Sequence, residues 1–165
     1  MSKLKHWLVN PRMAWLWLVV RVYVGWVWLE AGWGKVTNSA WVGTGAGGAV
    51  KGFLTGALTK TAGEHPDVSD WYAWMIENIG LPGSFVISHL VAFGELAVGV
   101  ALILGVFTGL AAFGGALMNM NFLLAGTVSS NPTLLLLEIL LVSARRVAGR
   151  YGLDRFISKA RHHQR

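Results

Sequence analysis

The chain has 165 residues, of which 54% are hydrophobic and only 13% charged, with nine Trp, no Cys and a net charge of +6. A soluble domain carries about 25% charged residues, so the apolar excess is fitted to lipid and residues 1–165 read as a single membrane domain. The absence of Cys excludes a disulfide framework, thiolate metal sites and thiol-pair exchange chemistry.

The first predicted element is the apolar run Trp15 to Val36, WLWLVVRVYVGWVWLEAGWGKV. A helix of about 20 residues crosses a hydrocarbon core of about 30 Å, so this run reads as span one, a retained signal-anchor. It carries Arg21, Glu30 and Lys35, and ionisable groups at membrane depth mark functional sites unless they only anchor the helix. At about 100° per residue Arg21, Gly25, Trp28, Gly32 and Lys35 share one stripe, with Glu30 on the far side from Arg21.

Residues 37–83 read as an outer-face loop. GTGAGG at Gly43 to Gly48 is its flexible opening. Two short pieces then follow at helical spacing, one with Val50, Phe53, Leu54, Ala57 and Leu58, the other with Trp71, Trp74, Met75 and Ile79. Both are too short to span, which fits interfacial helices. Two readings stand: a lid over the outer end of the bundle, or anchors to lipid headgroups.

Span two is expected at about 85–104, opened by Leu81-Pro82-Gly83 and a Ser84 cap, span three at about 109–127, and span four, a short one, at about 133–144. The expected fold class is therefore all-α, an integral membrane four-helix bundle with short interfacial helices between spans one and two. Lys3, Lys5 and Arg12 precede the first span, and Arg145, Arg146, Arg150, Arg155, Lys159, Arg161 and Arg165 follow the last. This positive-inside pattern puts both ends in the cytoplasm of a prokaryotic cell bounded by this membrane. The basic tail 145–165 reads as a surface helix on anionic lipid, not a nucleic-acid contact. Glycines at 94, 99, 105, 109, 114, 115 and 126 allow close helix packing and self-association.

The polar residues collect in the outer half of the bundle. Glu95 lies near mid-membrane and must be protonated or paired; it is the first catalytic candidate, with His89 and Glu30 at similar depth as proton-relay partners. Arg21 is either a snorkelling anchor or the buried ion partner of Glu95. Lys35 reads as an interfacial anchor that also has the reach to touch a ligand. Glu138, Asn119, Asn121 and Trp28 complete the candidate binding set, and two residues apart the asparagines are expected on different faces. His89 is the one intramembrane His, so a haem lacks its axial partner; no metal or flavin fingerprint is read.

Several stretches carry a resemblance. R-x3-G-x6-G-x2-K in span one, FGELAVGVALILGVFTGLAA at Phe93 to Ala112, MNMNFLLAGTVSSNP at Met118 to Pro132 and the AGRYGLDRF tail resemble the DoxX/DoxD family of small four-helix membrane proteins. GFLTGAL and EHPDVSDWY look like its DoxD branch. The resemblance implies the membrane subunit of a thiosulfate:quinone oxidoreductase, which couples thiosulfate to tetrathionate and reduces a membrane quinone, ubiquinone or menaquinone. It also implies a separate DoxA-like or other redox partner. Under it Glu95, with His89 or Glu30, supplies protons, Asn119 or Asn121 holds a carbonyl, an aromatic ring stacks, and Lys35 with Lys51 or Lys60 meets the dianion. The alternative is a non-catalytic membrane scaffold that docks a redox or oxidative-stress enzyme. A carrier is disfavoured, since four spans without inverted repeats leave little room for alternating access.

Overall fold

In the computed structural model, which describes residues 8–156, the chain turns helical at its first proline. Pro11 opens a 3-10 turn, Pro11–Met13, where its missing N–H costs nothing, and the Asn10 side chain accepts from Arg12 N at 3.0 Å. The turn feeds directly into α1, Ala14–Val36. Ala14, Trp17, Arg21, Val24, Gly25, Trp28 and Gly32 are its buried residues, an i, i+3, i+4 stripe. Trp15, Val19, Tyr23, Trp26 and Trp33 stand exposed on the other side, as lipid-facing positions do.

Among the described residues every regular element is helical: α2 Gly48–Leu58, α3 Asp70–Met75, α4 Ser84–Leu104, α5 Thr108–Leu124, α6 Asn131–Ser143 and α7 Arg145–Ala148. α3 runs on into a π-helical turn, Ile76–Gly80. α1 packs on α4, α4 on α5, α5 on α6 and α6 back on α1, closing a ring around Trp17, Val24, Trp28, Leu102, Ala112 and Leu141. α1 and α4 are long and apolar enough to cross a membrane; α5 and α6 are apolar but shorter. The third expected span, 109–127, ends early at Leu124. Gly126 takes φ +68° and Thr127 N returns to Phe122 O, so the chain turns before the expected end.

Glycine sets the register of α1 against α4. A Cβ on Gly32 would run into the backbone of Leu96, and one on Gly99 into that of Leu29, while Gly25 packs against Ile103. The numbers at each contact sum to about 128, so Lys35 lies level with Phe93 and α4 extends about eight residues, roughly 12 Å, beyond the end of α1. Gly32→Ala is therefore expected to force the two backbones apart at a cost of about 1–3 kcal/mol, read as a lowered unfolding temperature of the detergent-solubilised protein. An unchanged midpoint would contradict this register.

The overhang is where the segment after α1 docks. Ser88 Oγ donates to Trp41 O at 2.7 Å, and Gly47 packs on Ser84 and Phe85. Val50, Leu54 and Ala57 of α2 form a second core with Val68, Tyr72, Ile76 and Ala125. The segment is thus a lid seated on the helix ends, with Trp71 and Trp74 exposed on its outer side. At the opposite end the chain folds back. Asp154 accepts from Phe107 N and Thr108 N at the start of α5, and Asp154 N reaches Gly105 O. The tail beyond residue 156, including Lys159, Arg161 and Arg165, lies outside the described residues, as do Lys3 and Lys5.

Candidate functional site

A cavity of about 570 Å³ lies between the helix ring and the lid. Its size is in the range of small-molecule sites. Val27, Trp28, Ala31 and Lys35 of α1, Ile87, Val91 and Glu95 of α4, and Met118, Asn119, Asn121 and Phe122 of α5 form its walls. α2 adds Val50, Phe53 and Leu54; α3 and the π turn add Tyr72, Met75, Ile76, Ile79 and Gly80. Thr127, Ser129 and Ser130 of the α5–α6 connection, with Asn131 at the start of α6, give it a hydroxyl-rich edge.

Two of the lining residues are charged, and they meet. Lys35 Nζ donates to Glu95 Oε2 at 2.6 Å and lies 5.1 Å from the centre of the Trp41 ring. Glu95 is 1% exposed and Lys35 21%. The pairing follows from the register: Gly32 brings α1 against Glu95 and Leu96, which places Lys35, one turn further on, over the carboxylate. Lys35 is thus the ion partner of Glu95, and Arg21 is not. Arg21 lies about twelve residues of helix rise, roughly 18 Å, towards the other end. There it is 1% exposed, donates from Nη2 to Tyr151 O at 3.0 Å, and packs against Gly105 and Gly152.

Behind the wall stands a second buried carboxylate. Glu138 is 0% exposed. Its Oε1 accepts from Trp28 Nε1, and its Oε2 from Asn119 Nδ2 at 2.7 Å. Gly115 leaves the space, since a Cβ there would meet both the carboxylate and the indole nitrogen. Glu138 therefore does not line the cavity; it holds the two side chains that do. Asn121, on a neighbouring face, accepts from Tyr72 OH through its carbonyl O at 3.1 Å and its Oδ1 at 3.2 Å, tying the lid to α5.

Two expected partners are elsewhere. His89 is six residues from Glu95, about 120° around the helix, and is half-buried between Phe85 and Phe93, its Nδ1 donating to Phe85 O at 2.9 Å. The overhang of α4 also lifts it above the level of Glu30. Glu30 is exposed on the side of α1 away from the buried stripe. The three lysines expected at an anion do not assemble either: Lys60 Nζ donates to Gly126 O at 2.7 Å, Lys35 is paired, and exposed Lys51 does not line the cavity.

Trp41, Tyr72, Phe53, Phe122 and the hydroxyl edge were not among the candidates read from sequence. Tyr72 had a legible signal, a phenol on the buried side of a short amphipathic helix. Burial pushes that phenol above its usual range. The unfolded chain then loses the proton first, so stability is at its full value below about pH 10 and falls as pH rises from there towards the folded value. We expect the unfolding temperature to drop faster above about pH 10 in wild type than in Tyr72→Phe, which pays instead about 1 kcal/mol at all pH for the lost hydrogen bond. Parallel curves would contradict this.

Residues 16–127, more than half of the chain and all of the walls but Ser129, Ser130 and the α6 side, match the DoxX family model. The chain belongs to the DoxX family. It is thus a DoxX-family membrane protein, and the match takes in α1, the lid, α4 and α5 together with Lys35, Glu95, Asn119 and Asn121. Neither a curated protein nor a solved structure matches it.

Proposed function

We propose that this DoxX-family chain is the membrane subunit of a quinone-linked oxidoreductase, of the thiosulfate:quinone kind, which binds the quinone ring in the cavity under the lid. The observation that carries the reading is the Lys35–Glu95 pair inside an otherwise apolar, aromatic-walled cavity. A quinone presents a flat apolar ring with two carbonyls, and its reduction consumes two electrons and two protons. Trp28, Phe53 and Phe122 offer surfaces for the ring. Lys35 is a donor for one carbonyl, Glu95 a carboxyl positioned to exchange a proton there, and the Asn121 and Ser130 side is polar enough for the other. The quinone supplies the electron-accepting chemistry when bound; the protein's part is to hold the ring, exclude water and move protons.

In this reading α1, α4, α5 and α6 all cross the cytoplasmic membrane of a prokaryote, with the lid outside and both termini in the cytoplasm. α5 and α6, about 26 and 20 Å long, are shorter than the hydrocarbon core and cross it with the help of the arginines that follow α6. The sulfur-linked half of the reaction belongs to a separate redox partner. Thiosulfate-dependent quinone reduction in membranes that contain the chain and its partner, compared with membranes lacking only this chain, tests the reading. Equal rates would sink it.

The scaffold alternative has its own observation. Arg145, Arg146, Arg150, Arg155, Tyr151 and Phe156 are exposed together at the inner end. Truncation after Ala144 would also remove the Asp154 cap of α5 and the acceptor of Arg21, so the sharper test is Arg146→Gln with Arg150→Gln. A scaffold predicts loss of partner co-purification with the cavity intact; the quinone reading predicts that ring binding is unchanged.

A further inference from the structure

We propose that Glu95 is the specificity-determining residue of this cavity: by neutralising Lys35 it restricts the cavity to uncharged ring ligands and keeps thiosulfate and similar oxyanions out. The inference rests on the reading of the cavity as a ring site and deepens it. An oxyanion substrate is then handled at a place outside the cavity.

The charges decide this. Among the lining residues Lys35 and Glu95 are the charged ones, one of each sign, in contact at 2.6 Å. The remaining lining is mostly Val, Leu, Ile, Met and aromatic side chains with a few neutral amides and hydroxyls. A dianion moved from water into such a space loses its hydration and is repaid only if unpaired cations receive it. None is on offer. The Lys35 ammonium is already matched by a carboxylate 1% exposed, which would repel the incoming anion across the same few ångströms. Of the lid's lysines, Lys60 is held by Gly126 O and Lys51 is exposed and does not line the cavity. A neutral ring meets no such barrier, because it adds no charge and finds both a donor and an acceptor in the pair.

Glu95→Gln keeps the side-chain size and removes the neutralising charge, leaving one uncompensated ammonium in an apolar pocket, which is how proteins build anion sites. Radiolabelled thiosulfate binding to the purified protein in lipid nanodiscs, with decylubiquinone as the competing ring, tests the proposal. Wild type is expected to bind the ring and to show no saturable thiosulfate binding at millimolar concentration. Glu95→Gln is expected to gain saturable thiosulfate binding, at least about tenfold above wild type, that decylubiquinone displaces; adding Lys35→Met is expected to abolish it again. Val91→Lys, which leaves the ion pair in place and adds a cation to the same wall, provides the gain if Glu95→Gln fails to fold. Saturable, ring-displaced thiosulfate binding in wild type would overturn the proposal, as would no gain in any folded variant that carries the extra positive charge. If wild type binds neither thiosulfate nor the ring, the ring-site reading falls with it; if the ring binds and thiosulfate competes, the specificity assignment alone falls.

Discussion

Glu95→Gln is expected to lower quinone reduction by at least about a hundredfold, the lower bound for losing a positioned proton-transfer group, while the protein accumulates in the membrane as wild type does. The carboxylate lines the cavity and shares one oxygen with Lys35 at 2.6 Å. Gln fills the same space and can still accept from Lys35, so the helix contacts at Gly32 and Gly99 are untouched. What it cannot do is gain and lose a proton as a carboxyl does. Rates measured at equal protein level check this. A variant that retains more than about a tenth of wild-type activity would remove Glu95 from the proton path.

Glu138→Leu is expected to produce the largest loss of stability, because it leaves two buried donors, Trp28 Nε1 and Asn119 Nδ2, without acceptors. Each unpaired donor costs about 1–3 kcal/mol, so a loss of several kcal/mol follows, near the total stability of many small domains. Glu138→Gln keeps an acceptor for the indole and lets the Asn119 amide turn to offer its oxygen, so its cost is expected to be well under half of that. Unfolding in mixed micelles, followed by Trp fluorescence, separates the two. If Glu138→Leu unfolds at the same point as wild type, the carboxylate is not what holds this wall.

Much of this was legible from the chain, and the reasons differ by residue. The stripe Arg21, Gly25, Trp28, Gly32 along α1 needs only the helical period, and those four residues are buried as that period requires. The offset of Glu30 comes from the same period. The two short helices before Ser84 carried apolar residues on one side, and that left lid or headgroup anchor open; in the structure that side packs into a second core around Val50, Leu54, Tyr72 and Ile76 with Ala125. The Lys35–Glu95 pair was not legible, because it depends on how α1 and α4 slide past one another, and depth measured from each helix's own end assumes that the ends are level. They are not: the roughly 12 Å overhang of α4 raises both residues relative to Lys35, carrying His89 past it and bringing Glu95 to its level. Glu138 was read as a ligand contact from its depth alone. Its partners on α1 and α5 turn it into a support, which only the packing of three helices can specify.

The most direct measurement is photolabelling of the membrane-embedded protein with an azidoquinone, followed by peptide mapping. Labelling confined to the cavity wall, at residues such as Tyr72, Met75, Met118 or Phe122, suppressed by excess unlabelled quinone and weakened in Glu95→Gln, is what the quinone-site reading predicts. Labelling spread over the outward faces of α1 and α4, at residues such as Trp26, Trp33 or Phe93, and indifferent to competitor, would contradict it.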